Sequence, residues 1–547
     1  MPLLSRETLE KKFPVCHAFL RKTAWNDIVA GYLAEGPTRA FDRYLKEHEK
    51  ELGGWDFLTD LARLEGIVEK VGRNEIRILS PDRSWAVNPS VHVEKVSWQG
   101  LPALFEEGEP PRPLPEKKEE AVLVWRHPIS RIVMIRTASD ADLLALKIAA
   151  EGLDYKRLAE EGGVPRGIVD AVMARAVDEG LIIAPRSRIR RHPEIVPPGV
   201  SVDDEFLESP FFTVQLHITQ ACDLQCRHCY DRSQRKSLSL KDGLVFLDDL
   251  ADFCRDRRVR GQVSFTGGNP LLHPHFFEIY QAAVDLGFVT AILGNPTARE
   301  NLERMTLIRK PAFYQVSLEG LEKHNDSIRG EGSFRSVLEF LPLLKEYGIS
   351  SMVMLTLTRD NMDQVIPLGE CLRGLTDSFN FNRLVQVGEG AALSLPSRGD
   401  YKAFLLSYLE ALERNPVLGL KDNLFNIILR QEGKELFGGC AGYGCSAAFN
   451  FLAVLSDGEV HACRKFPSLV GNIHKANLAD IYDSENAERY RRGTAACRDC
   501  PIRPVCGSCL AVMYGQGLDI FNSLDTHCFM EEAIGGSGGR GRTKITI

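Results

Sequence analysis

Short apolar segments alternate with longer amphipathic segments from about residue 210 onward. In FFTVQLHIT, Val214, Leu216 and Ile218 alternate as they would on one face of a strand. Repeated strand–helix units predict parallel strands, and six units predict an α/β fold in the form of a partial (β/α)6 TIM-like barrel. The other predicted strands are 262–268, 289–295, 312–320, 350–358 and 380–387, and the predicted helices are 240–256, 275–286, 334–347 and 362–374.

The N-terminal part of the chain has a different pattern. Residues 1–105 favour a mainly helical domain, and the Pro- and charge-rich segment 106–120 predicts a linker. Residues 121–195 predict a hairpin, three helices and a short strand. This order resembles a winged helix and also the precursor-recognition element of peptide-modifying enzymes, so we expect a peptide-recognition domain, with a purely structural insert as the alternative. The apolar positions with helical spacing in the first domain are Phe57, Leu58, Leu61, Leu64, Ile67, Val68 and Val71.

The remaining part of the chain is predicted to consist of four segments. Residues 205–400 would form the barrel and 401–435 a helical bridge. Residues 436–532 form a Cys-rich domain that we expect to consist mostly of loops. The segment 533–547 begins Gly-rich and predicts a flexible tail.

Charge and hydrophobic composition make some classes of protein function less plausible for this chain. The 547 residues carry a net charge of −7, so a generic nucleic-acid partner is disfavoured, because phosphate contacts need clustered Lys and Arg. No apolar run approaches the roughly 20 residues that span a bilayer. The N-terminus shows no apolar core of a secretory signal. We therefore expect a cytoplasmic protein with neither a nucleic-acid nor a membrane partner.

Cysteines are concentrated in two places. Three of the 14 fall within 222–229 and seven within 440–509, and Cys528 follows shortly after. A reducing compartment keeps thiols free, so dense cysteines there favour metal binding over disulfides. Cys16, Cys254 and Cys371 stand apart, and we expect them to be small buried side chains.

The first group has the spacing C-x3-C-x2-C, with Cys222, Cys226 and Cys229 after a predicted strand. Three thiolates on one loop would bind three irons of a 4Fe–4S cluster and leave the fourth iron open for a small molecule. A zinc site or three unrelated cysteines are the alternatives from spacing alone. The motif closely resembles that of the radical S-adenosylmethionine (SAM) superfamily, and His228 occupies the family's usual aromatic position.

Further motifs follow in the order of that family. TGGNP (266–270) resembles its Gly-Gly-Glu-Pro loop, so the resemblance implies that Gly267 and Gly268 line the methionine end of SAM, with Asn269 in place of the usual Glu as acceptor from the ammonium group. VSLEG (316–320) implies a SAM contact at Ser317. The segment 324–334 implies that Arg329 pairs with the SAM carboxylate. LGNPT (293–297) lies where the family often has Thr-Asn-Gly.

The C-terminal cysteines resemble those of the SPASM domain, which holds two auxiliary 4Fe–4S clusters. Two structural zinc sites are the alternative, since paired C-x2-C units also suit zinc. The resemblance implies an inner and an outer cluster, with three clusters in the whole chain. It assigns Cys440, Cys445, Cys463 and Cys509 to the inner cluster, and Cys497, Cys500, Cys506 and Cys528 to the outer cluster.

Together these resemblances imply an enzyme that cleaves SAM reductively to a 5′-deoxyadenosyl radical. The radical would abstract hydrogen from a ribosomally made precursor peptide, with flavodoxin or ferredoxin as reductant. The whole layout resembles peptide maturases such as the thio(seleno)oxazole type. The alternatives are a sulfatase-maturase-like enzyme that forms formylglycine and an iron–sulfur DNA-binding regulator.

Overall fold

The structure, a computed structural model, describes residues 5–20, 24–36, 40–52, 54–73, 85–106, 114–202, 206–530 and 544–545. It divides the chain into two compact units, 1–186 and 187–547. The finer domain boundaries remain predictions. Part of the predicted linker (107–113) and most of the predicted tail lie outside the described residues. Within the described ranges, no helix has both the length and the apolar run that a membrane crossing requires.

The first unit begins with helices and ends with a small α/β domain. Leu58, Leu61 and Leu64 are buried on one long helix, as their helical spacing predicts. In chain order the elements are α1 (Arg6–Lys12), α2 (Pro14–Leu20), α3 (Trp25–Ala34), α4 (Phe41–Glu47), α5 (Leu58–Arg73), β1 (Ala86–Val87), β2 (His92–Val96), β3 (Glu120–Arg126), β4 (Val133–Thr137), α6 (Asp140–Glu151), α7 (Tyr155–Gly162), α8 (Arg166–Asp178) and β5 (Ile182–Ile183).

The strand β3 is the centre of this unit. It lies between β2 and β4 in an antiparallel sheet. Val122 and Val124 face the core shared with the N-terminal helices, whereas Leu123 and Trp125 face the core shared with α6 to α8. A strand buried on both faces reads as a continuous apolar run, which explains the sequence AVLVW.

The elements after β3 confirm the predicted hairpin, three helices and short terminal strand. The helix α6 starts with a capping box, in which Ser139 and Asp142 each satisfy the other's backbone N–H group. Arg136 on β4 donates to the Asp142 carboxylate at 2.8 Å, and it also pairs with Glu179 just after α8. These bonds tie the strand to both helices.

The second unit contains the six parallel strands that the sequence predicts. Strands β7 to β12 follow one another in sheet order, and helices separate them along the chain. Val214, Leu216 and Ile218 are fully buried, as their alternation predicts. The elements are β6 (Ser201–Val202), β7 (Phe211–Thr219), α9 (Leu240–Arg257), β8 (Arg260–Gly267), α10 (Phe276–Asp285), β9 (Val289–Leu293), α11 (Arg299–Ile308), β10 (Phe313–Ser317), α12 (Glu322–Arg329), α13 (Ser333–Glu346), β11 (Ser351–Leu357), α14 (Val365–Leu372) and β12 (Ser378–Arg383).

The Cys-rich segment is more regular than predicted, because three of its strands join the barrel sheet. The first of them pairs in parallel with β7, which gives a nine-stranded sheet. Each strand has only three or four residues, too few for a sequence pattern to indicate. The remaining elements are α15 (Arg398–Leu412), α16 (Phe425–Gln431), β13 (Phe451–Val454), β14 (Glu459–His461), β15 (Leu469–Asn472), α17 (Leu478–Asp483), α18 (Glu485–Arg492), α19 (Leu510–Gly515) and β16 (Lys544–Ile545), which pairs with β6.

Two smaller expectations are corrected. The last barrel strand ends at Arg383 rather than at residue 387, because the chain turns where the Val387 N–H group donates to the Val385 carbonyl. Cys371 is exposed rather than buried. It lies on α14, whose buried positions are Val365, Leu368, Gly369 and Leu372, so its side chain falls on the solvent face. Cys16 and Cys254 are buried as expected.

Candidate active site

A cavity of about 450 Å³ lies at the carboxyl ends of the parallel strands. Sites on such sheets form at this end, where the loops that follow the strands meet. The cavity is lined by residues from the ends of all six strands or the loops that follow them. Among them are Gln220, Gly267, Leu293, Ser317, Thr356 and Arg383.

The three cysteines of the first group line this cavity. Cys222, Cys226 and Cys229 lie on the loop after β7 and are free thiols. Burial raises the pKa of the Cys226 thiol, and the charges of Cys222 and Cys229 add to this effect, whereas Arg329 opposes it. The loop is fixed by backbone contacts, because the Arg227 N–H donates to the Ile328 carbonyl and the Glu389 N–H to the Cys229 carbonyl, both at 2.9 Å.

Gly267 ends β8 and Gly268 begins the loop after it, and this loop lies directly against the start of the cysteine loop. The Gly268 N–H donates to the Thr219 carbonyl at 2.9 Å, and the Asn269 N–H donates to the Ala221 carbonyl at 2.7 Å. A Cβ on Gly267 would lie 2.1 Å from the Thr219 oxygen, and one on Gly268 would lie 2.2 Å from the Ala221 oxygen. Gly267 also has φ +136°, which disfavours any side chain.

Asn269 is placed differently from Gly267 and Gly268. Its side chain is buried and donates to Asp223 Oδ1 at 3.2 Å, and its carboxamide oxygen accepts from the Leu271 N–H at 3.4 Å. It is not among the residues that line the cavity. The Asn269 amide thus caps a short 3-10 helix (Pro270–Leu272), and its bond to Asp223 holds the cysteine loop in place.

A buried polar network forms another wall of the cavity. Glu319 accepts from Arg329 at 3.2 Å and from the Thr356 N–H at 2.8 Å, and it lies 3.1 Å from His228 Nε2. Burial raises the pKa of Glu319, but His228 and Arg329 outweigh this and lower it to about 2. Arg329 also donates to Asn295 at 3.2 Å. Its guanidinium is therefore oriented before any ligand binds.

The C-terminal cysteines form two spatial groups. Burial is the main cause of a Cys445 pKa raised to about 12, and the charges of Cys509, Cys463 and Cys440 contribute to it, so these four thiols are neighbours. Burial likewise raises the pKa of Cys506, with further contributions from Cys500, Cys497 and Cys528.

The donors present suit iron–sulfur clusters. Among the described residues, no three His, Cys, Asp or Glu side chains converge on a single ion position. A cubane binds each thiolate at a different iron, so its ligands surround a volume instead of a point. The first group shares its cavity with Gly268 and with His228, whose Nδ1 atom is buried without a partner in the structure. These residues fit a three-thiolate cluster with a bound cofactor beside it.

Two family models match the chain. The model of the radical SAM superfamily matches residues 216–371, and the SPASM model of an iron–sulfur cluster-binding domain matches residues 445–501. The first covers the cysteine loop and strands β8 to β11, and the second covers Cys445 and three of the six later cysteines.

Relatives with curated descriptions match a little over half of the chain. The chain is 26% identical over 324 residues to the AdoMet-dependent heme synthase of Methanosarcina barkeri, a match that covers 54% of this chain and 90% of that protein. It is 26% identical over 331 residues to the subtilosin biosynthesis protein AlbA of Bacillus subtilis, covering 56% and 69%. The crystal structure of Streptococcus suis SuiB aligns with a TM-score of 0.49 at 16% identity, covering 75% of this chain and 96% of that chain.

The partial barrel, the cysteine loop and the first family match identify residues 216–371 as a radical SAM domain. Residues 445–501 form an iron–sulfur cluster-binding domain of the SPASM type, and the chain that carries both domains is an enzyme. Its cofactors are accordingly SAM and 4Fe–4S clusters, including auxiliary clusters in the SPASM domain.

Four functional residues were not indicated by the sequence. Glu319 lies inside the VSLEG motif and contacts the lining residues His228 and Arg329, but the motif did not indicate that its carboxylate would connect them. Arg383, Arg464 and Lys465 line the cavity. Arg464 and Lys465 follow Cys463 directly. Because they are far from the barrel motifs along the chain, the sequence did not indicate that they line the same cavity.

Proposed function

We propose that this enzyme modifies a ribosomally made precursor peptide. When bound, the first cluster and SAM supply a 5′-deoxyadenosyl radical that takes a hydrogen atom from the substrate. The chain's own contribution is to hold SAM, orient the substrate and exclude water from the cavity. The single observation that carries the peptide assignment is the winged-helix part of the first unit.

That part offers a free strand edge. The strand β4 is paired only with β3 among the described residues. Ile132, Met134 and Ile168 are exposed on or near the hairpin and on α8, although apolar side chains of this size are usually buried. An extended peptide can add to such an edge through main-chain hydrogen bonds while its side chains contact apolar positions. AlbA, described as a bacteriocin biosynthesis protein, supports a peptide substrate.

The residue roles form part of the proposal. Cys222, Cys226 and Cys229 would hold the SAM cluster, and the two C-terminal groups would hold one auxiliary cluster each. Gly267, Gly268, Ser317 and His228 would contact SAM, and Arg329 would meet its carboxylate. Asn269 would act by holding the loop, since its carboxamide is already bonded. A flavodoxin or ferredoxin would supply the electron.

The test uses the anaerobically reconstituted enzyme with SAM, dithionite and the peptides encoded by small open reading frames next to its gene. We expect 5′-deoxyadenosine and a mass change in one peptide. Met134→Lys should weaken peptide modification, because a charge would interrupt the apolar edge. Leu307→Lys is the matched control, since Leu307 is 87% exposed on α11 of the other unit.

Two outcomes would contradict the proposal. One is SAM cleavage that no peptide accelerates, with formylglycine made on a folded protein instead. The other is an absence of SAM cleavage with salt-dependent DNA binding, as expected of a regulator.

A further inference from the structure

The charges around the active-site cavity are unequal. Among the described residues that line it, one carboxylate, that of Asp231, is present alongside the cations Arg232, Arg329, Arg383, Arg464 and Lys465. Asp231 already accepts from the Ser233 N–H at 2.9 Å and lies 3.8 Å from Arg235. The next question is therefore which of the positive side chains already contact a carboxylate of the protein.

Two of these cations already contact carboxylates. Arg329 contacts the buried Glu319 at 3.2 Å, and we assign it to the carboxylate of SAM. Arg383 donates to both oxygens of Asp525 at 2.8 Å and to Asp422 at 2.8 Å, so two carboxylates surround one guanidinium. The planar bidentate pair of Arg383 and Asp525 fixes both partners. Neither residue is therefore assigned to the peptide, and the exposed Arg232 donates to the Cys226 carbonyl at 2.7 Å.

Arg464 and Lys465 are different. Neither forms an ion pair with a carboxylate among the described residues, and the Arg464 guanidinium lies 5.9 Å from the centre of the Tyr230 ring. Both are partly buried and line the same cavity as the three cysteines of the first group. Two adjacent, partly buried cations that contact no carboxylate can take up the negative charge of a ligand in this cavity.

We propose that Arg464 and Lys465 bind a carboxylate of the substrate and so select an acidic residue for the radical chemistry. This inference rests on the proposed function, because the ligand is a side chain of the modified peptide. A carboxylate matches the planar fork of Arg464 and the point charge of Lys465. The pair would position the substrate beside the SAM cluster without taking part in hydrogen transfer.

A competing explanation is that Lys465 balances the negative charge of the inner auxiliary cluster. Lys465 is two residues from Cys463, and the charges of Cys440 and Cys509 act on its ammonium group. The two explanations predict different results. A compensating charge would shift the reduction potential of the cluster but would not discriminate a carboxylate from an amide in the substrate.

The experiment uses two probes of the same shape, acetyl-Gly-Glu-Gly-amide and acetyl-Gly-Gln-Gly-amide. Their dissociation constants are measured calorimetrically on the oxidised, SAM-bound holoenzyme, where no turnover occurs. We expect the Glu probe to bind at least about tenfold more tightly, since a charge-assisted contact is about twice as strong as a neutral one. A second readout is deuterium transfer into 5′-deoxyadenosine from each probe with a perdeuterated central side chain.

Variants assign the preference to these residues. In Arg464→Gln/Lys465→Gln the two dissociation constants should become equal, whereas Arg464→Lys should keep part of the preference. Arg335→Gln is the control, because Arg335 lies on α13 with a side chain 74% exposed and should leave the ratio unchanged.

Equal affinities for the two probes, no measurable binding of either at millimolar concentration, or a preference that survives the double variant would overturn this inference. Formation of 5′-deoxyadenosine without probe is followed separately. If SAM is not cleaved, the proposed function itself fails. If SAM is cleaved and the probes bind equally, only the assignment of Arg464 and Lys465 fails.

Discussion

Glu319 joins the cysteine loop to the barrel through a single carboxylate. It is 2% exposed, and its partners come from three segments: His228 on the cysteine loop, Arg329 at the end of α12, and the backbone of Thr356 on β11. A buried carboxylate is tolerated only when its charge is matched and its oxygens are bonded. Removing the charge therefore leaves Arg329 buried without its counterion.

We expect Glu319→Gln to reduce the free energy of unfolding by about 3 kcal/mol, the usual consequence of breaking a buried ion pair. Denaturant unfolding followed by far-UV circular dichroism measures it. The control is Glu322→Gln, because Glu322 is 57% exposed and lies 3.5 Å from Arg335. That change should stay within about 0.5 kcal/mol. Equal effects of the two substitutions would contradict the assigned role.

Glu65 gives a second residue-level prediction, in the first unit. Its carboxylate accepts from the N–H groups of Val15 at 2.6 Å and Cys16 at 3.2 Å, at the start of α2. Burial raises the pKa of Glu65 from 4.5 to about 7, although these hydrogen bonds oppose the shift. Between these pH values the folded state holds a proton that the unfolded state has released. The unfolding free energy should therefore fall by about 3 kcal/mol as pH rises through this window.

Tryptophan fluorescence can follow this unit within the full chain, since all five tryptophans lie in it, at positions 25, 55, 85, 98 and 125. Glu65→Gln should remove the decline in stability between pH 4.5 and 7. Glu7→Gln, at an exposed position of α1, should retain it. A decline of the same size in Glu65→Gln would show that another group titrates.

At the scale of elements, the loop after β8 and the cysteine loop are in direct backbone contact, because Gly268 has no side chain to keep them apart. In Gly268→Ala the new methyl group would lie 2.2 Å from the Ala221 oxygen, so one loop must move. We expect SAM affinity to fall at least about tenfold, since a small displacement of a positioning loop has large effects. Equilibrium binding of SAM to the reconstituted enzyme measures the change.

Gly399→Ala is the matched control. Gly399 lies in the first turn of α15, and the nearest atom to its added Cβ, the Ser397 hydroxyl, would be 4.0 Å away. Helix propensity favours alanine there. A loss of SAM affinity in this variant as well would show that the effect of Gly268→Ala is not specific to the loop.

The barrel elements were predictable because each carries its own periodicity. Val214, Leu216 and Ile218 alternate on β7, and the glycines of TGGNP follow β8 directly. The strands β13 to β15 were not, since β13 pairs with β7, more than 200 positions away, and β14 and β15 extend the sheet from β13. For the same reason, the sequence did not indicate that Arg464 lines the cavity, because it lies more than 200 positions after β7. Asn269 shows a further limit, because a motif match identifies the loop but not the partners of each side chain.

At the scale of the whole molecule, three groups of cysteines predict the iron content. The reconstituted enzyme should contain about twelve irons per chain, as three four-iron clusters require. Replacing Cys222, Cys226 and Cys229 together with alanine should remove about four of them and abolish 5′-deoxyadenosine. Iron and sulfide assays with metal analysis measure this.

Cys371→Ala is the control for that experiment, because Cys371 is exposed on α14 and belongs to none of the three groups. Its iron content should match that of the unaltered enzyme. Zinc in place of iron in the unaltered enzyme would contradict the cluster assignment.

The strand β3 has a consequence for how such enzymes can be rearranged by recombination. Its two faces belong to two different cores, with Val122 and Val124 on one side and Leu123 and Trp125 on the other. A gene fusion that carried only the segment from β3 to β5 would expose the apolar face formed by Val122 and Val124. Under the proposed function, a fusion that transfers peptide recognition would therefore have to include the N-terminal helices as well.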